Sequence, residues 1–323
     1  MSVASFALVF PGQGSQSRGM LAALAQRFTI VQQCFAEASA IVGTDLWRLV
    51  RDGPEQQLNS TEITQPVMLT AGIATWRVWR ELGGPAPQLV SGHSLGEFTA
   101  LVCAGSLEFA AALGLVHSRG RLMQQAVPEG EGAMAAILGL EDAAVEELCR
   151  EVAEAEVIEA VNFNSPGQVV IAGNLAAVER AIERAGARGA RRALRLPVSV
   201  PAHSSLLRQA AEQLRVRLQS VHVTAPRYEF VSAMDARAHT TPEDIRETLV
   251  RQLASPVRWT ETVRALLDRT GTLIECGPGR VLTGLNRRID RSAQCLALED
   301  PDSIGAALRA LSSTAPAQGV SHA

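Results

Sequence analysis

The chain of 323 residues contains no lysine, and all 30 of its basic residues are arginine. This absence excludes chemistry that needs a lysine amine, such as a Schiff base, a pyridoxal-phosphate anchor or a Walker-type phosphate loop. Because arginine stays charged at every working pH, a catalytic cation in this chain can hold an anion but cannot act as a base. With 33 acidic residues the net charge is −3, which argues against nucleic-acid binding because that binding needs a basic face.

Aromatic residues, cysteine pairs and long apolar runs are also scarce. Aromatic side chains make up only 4% of the sequence, so we expect a core of aliphatic residues and alanine. The five cysteines show no CxxC spacing, which predicts neither a zinc site nor a redox motif, and their odd number fits a reducing compartment. No apolar run approaches the roughly 20 residues of a membrane helix, and residues 1–10 lack the features of a signal peptide. We therefore expect a cytoplasmic protein.

Short apolar runs alternate with helical patterns along most of the chain. Ala4–Phe10, for example, predicts a buried strand. Such alternation predicts an α/β fold with a mostly parallel sheet. Between residues 131 and 197 the predicted order is β-α-β-β-α-β, the pattern of ferredoxin-like domains. We therefore expect an α/β-hydrolase-like large subdomain (1–130 and 198–311), an inserted ferredoxin-like small subdomain (131–197) and a disordered tail (312–323).

The segment Gly92-His93-Ser94-Leu95-Gly96 matches the pattern G-x-S-x-G. It follows the predicted strand Gln88–Val90 and precedes the predicted helix Glu97–Ala104, which is the context of a nucleophile elbow. The glycines allow the sharp turn that exposes the serine hydroxyl, and the helix N-terminus offers N–H groups to a developing oxyanion. The alternative is a glycine-rich turn with an incidental serine, since the bare pattern is common. In this context we interpret Ser94 as a nucleophile.

A serine nucleophile needs a general base, and the chain has six histidines. His93 lies next to the serine on the tight turn, so its side chain should point elsewhere, and His322 lies in the tail. His203 follows an extended run and begins a predicted helix, where a side chain can face a cleft. The residues alone do not separate His203 from the histidines at positions 117, 222 and 239.

Several further segments, in order along nearly the whole chain, make it resemble the malonyl-CoA:acyl carrier protein transacylases of bacterial fatty-acid synthesis. Together with the segment Gly92–Glu97 these are Phe10–Gln16, Thr64–Pro66, Arg119–Gln124, Asn162–Gln168, Val200–His203, Pro256–Trp259 and Gly277–Gly279. One of them alone would be a weak signal, but their number and order make the resemblance specific. It implies an acyltransferase that works through a covalent serine intermediate.

The resemblance implies a role for each residue that matches the family's motifs. Ser94 corresponds to the acyl-accepting nucleophile, and His203 to the base that takes its proton and returns it to the leaving thiol. The family commonly has no triad carboxylate, and a backbone carbonyl near Gln252 orients the imidazole. Gln13 and the backbone N–H of Leu95 correspond to the oxyanion hole.

Two further residues correspond to substrate-binding positions. Arg119 matches the residue that pairs with the free malonyl carboxylate, and a permanently charged, bidentate partner suits a buried carboxylate. Taken alone, Arg119 would be interpreted as a solvated helix charge. Asn162 corresponds to a substrate-channel residue, although Asn164–Gly167 after it is also typical of a plain hairpin turn. We reject a nucleotide site at Gly12–Gly14, because Ser17 stands where G-x-G-x-x-G needs its third glycine.

The implied reaction is a ping-pong transfer of the malonyl group from malonyl-CoA to the phosphopantetheine thiol of acyl carrier protein, without a cofactor or metal. The implied partners are malonyl-CoA and acyl carrier protein, with no nucleic acid and no membrane, and we expect a monomer. The alternatives are a stand-alone acyltransferase of polyketide synthesis, a serine thioesterase or esterase, and a non-catalytic docking scaffold. Arg119 argues against an esterase, which needs no carboxylate clamp, and Val200–His203 favours malonyl over methylmalonyl.

A basic stretch lies late in the predicted small subdomain. From Arg180 to Arg195 there are six arginines and one acidic residue, Glu183. Because acyl carrier proteins are acidic, this stretch could steer a carrier toward the site. The alternative is a solvated helix face and strand edge.

Overall fold

The computed structural model of the protein describes residues 5–198 and 200–313. Within these residues, ten strands form two separate sheets. In chain order the strands are β1 (Phe6–Phe10), β2 (Leu89–Gly92), β3 (Gly132–Leu138), β4 (Ile158–Ser165), β5 (Gln168–Asn174), β6 (Arg192–Arg195), β7 (Glu229–Val231), β8 (Ala238–His239), β9 (Thr272–Glu275) and β10 (Gln294–Ala297).

The same part of the chain contains fourteen α-helices and two short 3-10 turns. The helices are α1 (Ala22–Arg27), α2 (Thr29–Val42), α3 (Leu46–Asp52), α4 (Glu55–Leu58), α5 (Thr61–Glu81), α6 (Gly96–Cys103), α7 (Phe109–Gln125), α8 (Asp142–Val152), α9 (Leu175–Ala187), α10 (Arg208–Gln219), α11 (Pro242–Arg251), α12 (Trp259–Leu267), α13 (Val281–Ile289) and α14 (Pro301–Ser313). The 3-10 turns are Ser205–Leu207 and Gln252–Ala254. None of these described helices has the length and apolar character needed to cross a bilayer.

The larger sheet has six strands in the order β10-β9-β1-β2-β7-β8, which run parallel except for the edge strand β8. Its inner strand β1 is an unbroken apolar run in which every residue is buried. Leu8 and Phe10 pack into one apolar cluster, whereas Ala7 and Val9 pack into another. A parallel sheet that is covered on both faces needs no polar alternation, so the continuous apolar run fits this position. The predicted parallel sheet is confirmed.

The smaller sheet has four antiparallel strands in the order β4-β5-β3-β6. Together with α8 and α9 they follow the predicted order β-α-β-β-α-β between Gly132 and Arg195. The two helices are amphipathic, and they bury Val145 and Val178 with Ile171 of the sheet in a separate core. The expected ferredoxin-like element is therefore present.

The structure differs from the sequence predictions mainly at the ends of elements. Asn164–Gly167 was expected to be a hairpin turn, but β4 continues to Ser165, so only Pro166-Gly167 lies between the strands. The edge strands β8 and β10 were not predicted, because strands of two and four residues are too short to show a clear pattern. Helix α14 continues to Ser313, so the expected disordered tail begins with two helical residues. Its remainder, 314–323, lies outside the described residues.

Candidate active site

The G-x-S-x-G segment forms the tight connection between β2, which ends at Gly92, and α6, which begins at Gly96. Ser94 has a positive φ of 53°, a conformation that is uncommon for residues with a side chain and recurs at functional turns. A Cβ atom on Gly92 would lie 1.9 Å from the carbonyl carbon of Gly96, and one on Gly96 would lie 2.0 Å from the Phe10 carbonyl oxygen. Only glycine fits at both positions, so the chain can turn sharply enough to present the serine hydroxyl at the end of the sheet.

The Ser94 hydroxyl lies within hydrogen-bond distance of His203. The distance from Oγ to Nε2 is 2.7 Å, and Nδ1 of the same ring lies 2.8 Å from the backbone carbonyl oxygen of Gln252. A carbonyl oxygen can only accept, so Nδ1 carries the proton and Nε2 is free to accept from the serine. Ser94, His203 and the backbone of Gln252, which the resemblance implied, therefore form one chain of hydrogen bonds. The Gln252 carbonyl takes the place that a carboxylate has in a catalytic triad.

His203 is buried and has a positive φ of 67°. Burial, together with the positive charge of Arg119 nearby, lowers the pKa of its imidazole from 6.5 to about 3. The ring is therefore neutral at physiological pH, which is the state that a general base needs before it takes a proton.

The other histidines within residues 5–198 and 200–313 do not contact the nucleophile's hydroxyl. His117 and His239 contact acidic side chains away from Ser94, and His222 is exposed. The Nε2 atom of His93 lies 2.8 Å from Asn164 Oδ1, so the ring turns away from the Ser94 hydroxyl as expected. His322 lies outside the described residues. Among the described histidines, the geometry selects His203 from the candidates that the residues alone left open.

The two expected oxyanion donors both line a cavity of about 110 Å³ beside Ser94. The Leu95 N–H lies at the N-terminus of α6, and no described residue accepts a hydrogen bond from it. Gln13 lies in the loop after β1, where its Nε2 donates to Thr61 Oγ1 over 3.3 Å. That contact is long, so little holds the amide against turning toward a bound oxyanion. One fixed backbone donor and one side-chain donor are therefore available at the site.

Arg119 is a buried cation without an acidic partner among the described residues. Its side chain is almost inaccessible to solvent, with 1% exposure. Nη1 donates to Gln65 Oε1 over 2.9 Å, and Nη2 donates to Gln252 Oε1 over 2.7 Å and to the Ser94 hydroxyl over 3.1 Å. Nε has no hydrogen-bond partner.

Burial lowers the pKa of Arg119 to about 10, so the guanidinium is still charged at neutral pH. A buried charge that lacks a counter-charge is costly, and Nη2 of this guanidinium lies 3.1 Å from the Ser94 hydroxyl oxygen. The arrangement therefore favours a ligand that brings an anionic group to Ser94.

Asn162 reaches the same cavity from β4 of the smaller sheet. Its backbone forms a parallel bridge with Val257, and its side-chain Oδ1 is buried and has no hydrogen-bond partner in the part of the chain that the structure describes. An unsatisfied buried acceptor is costly, so this oxygen is available to a donor group on a bound ligand.

Glu97 was not predicted as a site residue, although it lies in the G-x-S-x-G-E segment. Glu97 is buried, with 1% exposure, and its Oε2 accepts from Gln252 Nε2 over 2.7 Å. A glutamate inside Gly96–Cys103, a helix of otherwise apolar and small residues, was the available signal. Asn164 was also assigned only to a turn, whereas it is buried and contacts the imidazole of His93.

The basic stretch from Arg180 to Arg195 is mostly paired within the small subdomain. Four of its six arginines contact glutamates, and these are the arginines at positions 180, 184, 188 and 195. The other two, Arg191 and Arg192, are exposed and form no ion pair within the described residues. The pairing favours a solvated face for most of the stretch and leaves two arginines available to a partner.

The remaining chemistry of the described chain adds no second centre. No group of three or more His, Cys, Asp or Glu side chains in residues 5–198 and 200–313 is arranged to hold a metal ion. All five cysteines are free and buried. A serine, a neutral imidazole, two oxyanion donors and a buried cation together suit acyl transfer to and from an acid derivative.

Comparison with known proteins agrees with this chemistry. Residues 7–297 match the family described as "Acyl transferase domain". The chain is 53% identical over 304 residues to the malonyl CoA-acyl carrier protein transacylase of Escherichia coli (strain K12), covering 94% of this chain and 98% of that protein. It is 40% identical over 311 residues to the protein of the same name from Bacillus subtilis (strain 168), covering 96% and 98%.

Solved structures show the same relationship. The malonyl CoA-acyl carrier protein transacylase of Coxiella burnetii has a TM-score of 0.94 and 45% identity, covering 96% of this chain and 98% of that one. A malonyl-transacylase in complex with a type II PKS acyl-carrier protein has a TM-score of 0.94 and 52% identity, covering 95% and 100%. The chain therefore belongs to the acyl transferase domain family and, within it, to the malonyl CoA-acyl carrier protein transacylases.

Proposed function

We propose that the protein transfers the malonyl group of malonyl-CoA to the phosphopantetheine thiol of acyl carrier protein through a malonyl ester of Ser94. The position of Arg119 carries this proposal. Its Nη2 lies 3.1 Å from the Ser94 hydroxyl oxygen, and its charge has no acidic partner among the described residues. A malonyl group supplies a carboxylate at this place, whereas an acetyl or simple fatty acyl group would leave the buried cation uncompensated.

In the first half-reaction Ser94 Oγ attacks the thioester carbonyl carbon, and His203 Nε2 takes the hydroxyl proton. The carbonyl oxygen becomes an oxyanion, which we assign to the Leu95 N–H and the Gln13 amide. The Gln252 carbonyl holds the charged imidazole through Nδ1–H. When the carbon–sulfur bond breaks, the proton passes from His203 to the CoA sulfur, and malonyl-Ser94 and free CoA are formed.

In the second half-reaction the phosphopantetheine thiol gives its proton to His203, and its sulfur attacks the ester carbonyl. The Ser94 oxygen leaves and regains the proton, so the enzyme returns to its starting state, and no cofactor or metal takes part. A carboxylate bound to Arg119 cancels the positive charge that contributes to the low pKa of His203. The malonyl group therefore makes the base stronger when it binds.

The proposed site lies between two subdomains, for which we keep the limits 1–130 with 198–311 and 131–197. Asn162 comes from the small subdomain, and we assign its unpartnered Oδ1 to an amide N–H of the pantetheine arm. The five free thiols fit a reducing compartment, so we place the reaction in the cytoplasm. We further propose that the enzyme acts as a monomer.

Intact-protein mass spectrometry tests the central proposal. The protein mixed with malonyl-CoA should gain one malonyl group, and addition of holo acyl carrier protein should move that group to the carrier. Ser94→Ala should gain no malonyl group, and unchanged acylation of this variant would disprove the nucleophile assignment. Release of free malonate at the rate of deacylation, with none on the carrier, would show a thioesterase instead.

The resemblance to bacterial fatty-acid enzymes favours the carrier of fatty-acid synthesis as the acceptor. A second candidate is a carrier of polyketide synthesis, because a transacylase of 52% identity forms a complex with a type II PKS acyl-carrier protein. Competition between the two carriers for malonyl-Ser94 distinguishes these acceptors, since the preferred one is loaded first.

A further inference from the structure

The side-chain amide of Gln252 lies between the nucleophile, the buried cation and a buried carboxylate. Its Oε1 accepts from Arg119 Nη2 over 2.7 Å. Its Nε2 donates to the Ser94 backbone carbonyl oxygen over 3.0 Å and to Glu97 Oε2 over 2.7 Å. An amide accepts at one end and donates at the other, so only one orientation satisfies these three contacts. The reversed orientation would place the amide NH₂ against the guanidinium N–H groups.

Glu97 reinforces this orientation. Its Oε1 accepts from the Ala233 N–H over 2.6 Å and from the Ser232 hydroxyl over 2.7 Å, which leaves Oε2 to face Gln252. In the structure Oε2 accepts from the Gln252 NH₂ group, which is the orientation that the guanidinium and the Ser94 carbonyl also favour. Burial is the largest influence on Glu97 and raises its pKa, whereas its three hydrogen-bond donors act in the opposite direction.

We propose that Glu97 is a positioning residue for malonyl selectivity, because it fixes the Gln252 amide and thereby holds Arg119 toward the acyl group on Ser94. This inference rests on the proposed function, since it requires Arg119 to bind the malonyl carboxylate. Glu97 does not line the cavity beside Ser94, so it acts through Gln252 and not by touching the substrate.

The substitution Glu97→Gln is nearly isosteric but reverses the polarity of this chain of hydrogen bonds. The Ala233 N–H can only donate, so it keeps the oxygen of the new amide on its side. The new NH₂ group then faces the Gln252 NH₂ group, so the Gln252 amide either loses its contact with residue 97 or turns its own oxygen toward it. A turned Gln252 presents NH₂ to Arg119, and two donors that face each other cannot bond, whereas an unturned Gln252 is no longer held in place by residue 97. In either case Gln252 holds the guanidinium less firmly, and the guanidinium depends more on its contacts with Gln65 and the Ser94 hydroxyl.

The test compares acylation of Ser94 by malonyl-CoA and by acetyl-CoA over a range of concentrations, followed by intact mass. Glu97→Gln should lower the malonyl-to-acetyl ratio of kcat/KM about 10- to 100-fold, the usual cost of losing a charge-assisted hydrogen bond. The loss should fall mainly on the KM for malonyl-CoA, because Arg119 holds the carboxylate both before and during the reaction. The lost contact to the Ser94 carbonyl affects both donors, so it cancels in the ratio. An unchanged ratio in the folded variant would overturn the proposal.

Glu275→Gln is the matched control, since it makes the same change at another buried glutamate. The Glu275 carboxylate accepts from the N–H groups of Leu282 and Thr283 at the start of α13. This variant should lower the Tm and leave the malonyl-to-acetyl ratio within about twofold of the original, because its contacts do not reach Arg119. An equal fall of the ratio in both variants would show that lost stability explains the effect, and would overturn the proposal.

A second variant keeps the test decisive if Glu97→Gln does not fold. Gln252→Met removes the amide but keeps the backbone carbonyl that holds His203, and it should lower the same ratio. An unchanged ratio in this variant would overturn the positioning role. The two proposals fail differently: absence of any malonyl-Ser94 in the unsubstituted protein refutes the function, whereas normal acylation with unchanged ratios in the variants refutes only the role of Glu97.

Discussion

Replacement of Arg119 by lysine would keep the positive charge but remove the planar guanidinium, in a chain that contains no lysine of its own. The guanidinium uses Nη1 for Gln65 and Nη2 for both Gln252 and Ser94, and Nε has no partner. A lysine ammonium carries three donors on a single atom, so it cannot donate to two glutamines and also form two parallel hydrogen bonds to a carboxylate. Arg119→Lys therefore separates the geometry of this cation from its charge.

The expected cost follows from the number of bonds lost. One charge-assisted hydrogen bond is worth about 1.5–3 kcal/mol, so losing one of two bonds to the carboxylate should lower kcat/KM for malonyl-CoA about 10- to 150-fold. Arg119→Ala also loses the charge and should lower it by a further factor of about ten or more. Acetyl-CoA has no carboxylate, so its kcat/KM should change less than about threefold or should rise.

The assay measures formation of acyl-Ser94 from malonyl-CoA and acetyl-CoA by rapid mixing and intact mass. Arg121→Lys is the matched control, because Arg121 lies on the same helix as Arg119 but is mostly exposed and pairs with Glu62. This control should behave like the original protein with both donors. If Arg119→Lys keeps its malonyl activity, or if both donors are affected in parallel, Arg119 supports the structure and does not bind the carboxylate.

Three other predictions address the base, the oxyanion hole and the carrier. Gln13→Ala should lower kcat about 10²-fold with little change in KM in steady-state kinetics, and a change in KM alone would contradict an oxyanion role. Because the pKa of His203 is lowered from 6.5 to about 3, the unfolded chain binds a proton that the native protein does not. This histidine should therefore lower the free energy of unfolding by about 1.4 kcal/mol per pH unit as the pH falls from 6.5 toward 3. Urea unfolding at pH 7 and at pH 5 should show a smaller decrease in that free energy for His203→Gln than for the unsubstituted protein. If the free energy of unfolding of His203→Gln decreases between pH 7 and pH 5 as much as that of the unsubstituted protein, the lowered pKa is refuted. Charge reversal at Arg191 and Arg192 should raise the KM for the carrier in a salt-dependent way without slowing acylation by malonyl-CoA, and equal loss of both half-reactions would argue against docking there.

The nucleophile turn could be predicted from the sequence because its determinants are local. The glycines at 92 and 96, the apolar strand before them and the helix after them all lie within a few residues of Ser94. The base could not be predicted in this way, since His203 lies 109 residues further along the chain and no local pattern joins the two. Among the histidines only the family resemblance selected it, and the fold supplies the physical reason.

In the sheets, too, the strands with a clear local pattern could be predicted and the others could not. The unbroken apolar run of β1 identified a strand that is buried on both faces, and the alternating elements between Gly132 and Arg195 identified the second sheet. Edge strands β8 and β10 carry two and four residues, too few for a pattern of hydrophobicity to stand out. The ion-pair partners of the basic stretch could not be predicted from the sequence either, because Arg188, for example, pairs with glutamates about 40 positions away. Pairing at that distance depends on how α8 and α9 pack together.

Arg119 and Glu97 show which sequence signal could have identified the site without any resemblance. Arg119 lies on the buried face of α7, three and four positions from Val116, Leu115 and Met123. Such a face excludes water, so a charge on it needs a partner, and no acidic residue lies three or four positions away on the helix. Glu97 is in the same situation on α6, where the surrounding residues are apolar or small.

Two buried charges of opposite sign, each without a local partner, must either pair directly or be held apart for a reason. Here the Gln252 amide stands between them and bonds to both, so the guanidinium and the carboxylate are linked without forming a salt bridge. A direct salt bridge would have satisfied Arg119 within the protein and left nothing for a substrate carboxylate to gain. The inserted amide keeps the guanidinium fixed while its charge stays available beside Ser94, which is the condition that selective binding of a malonyl group requires.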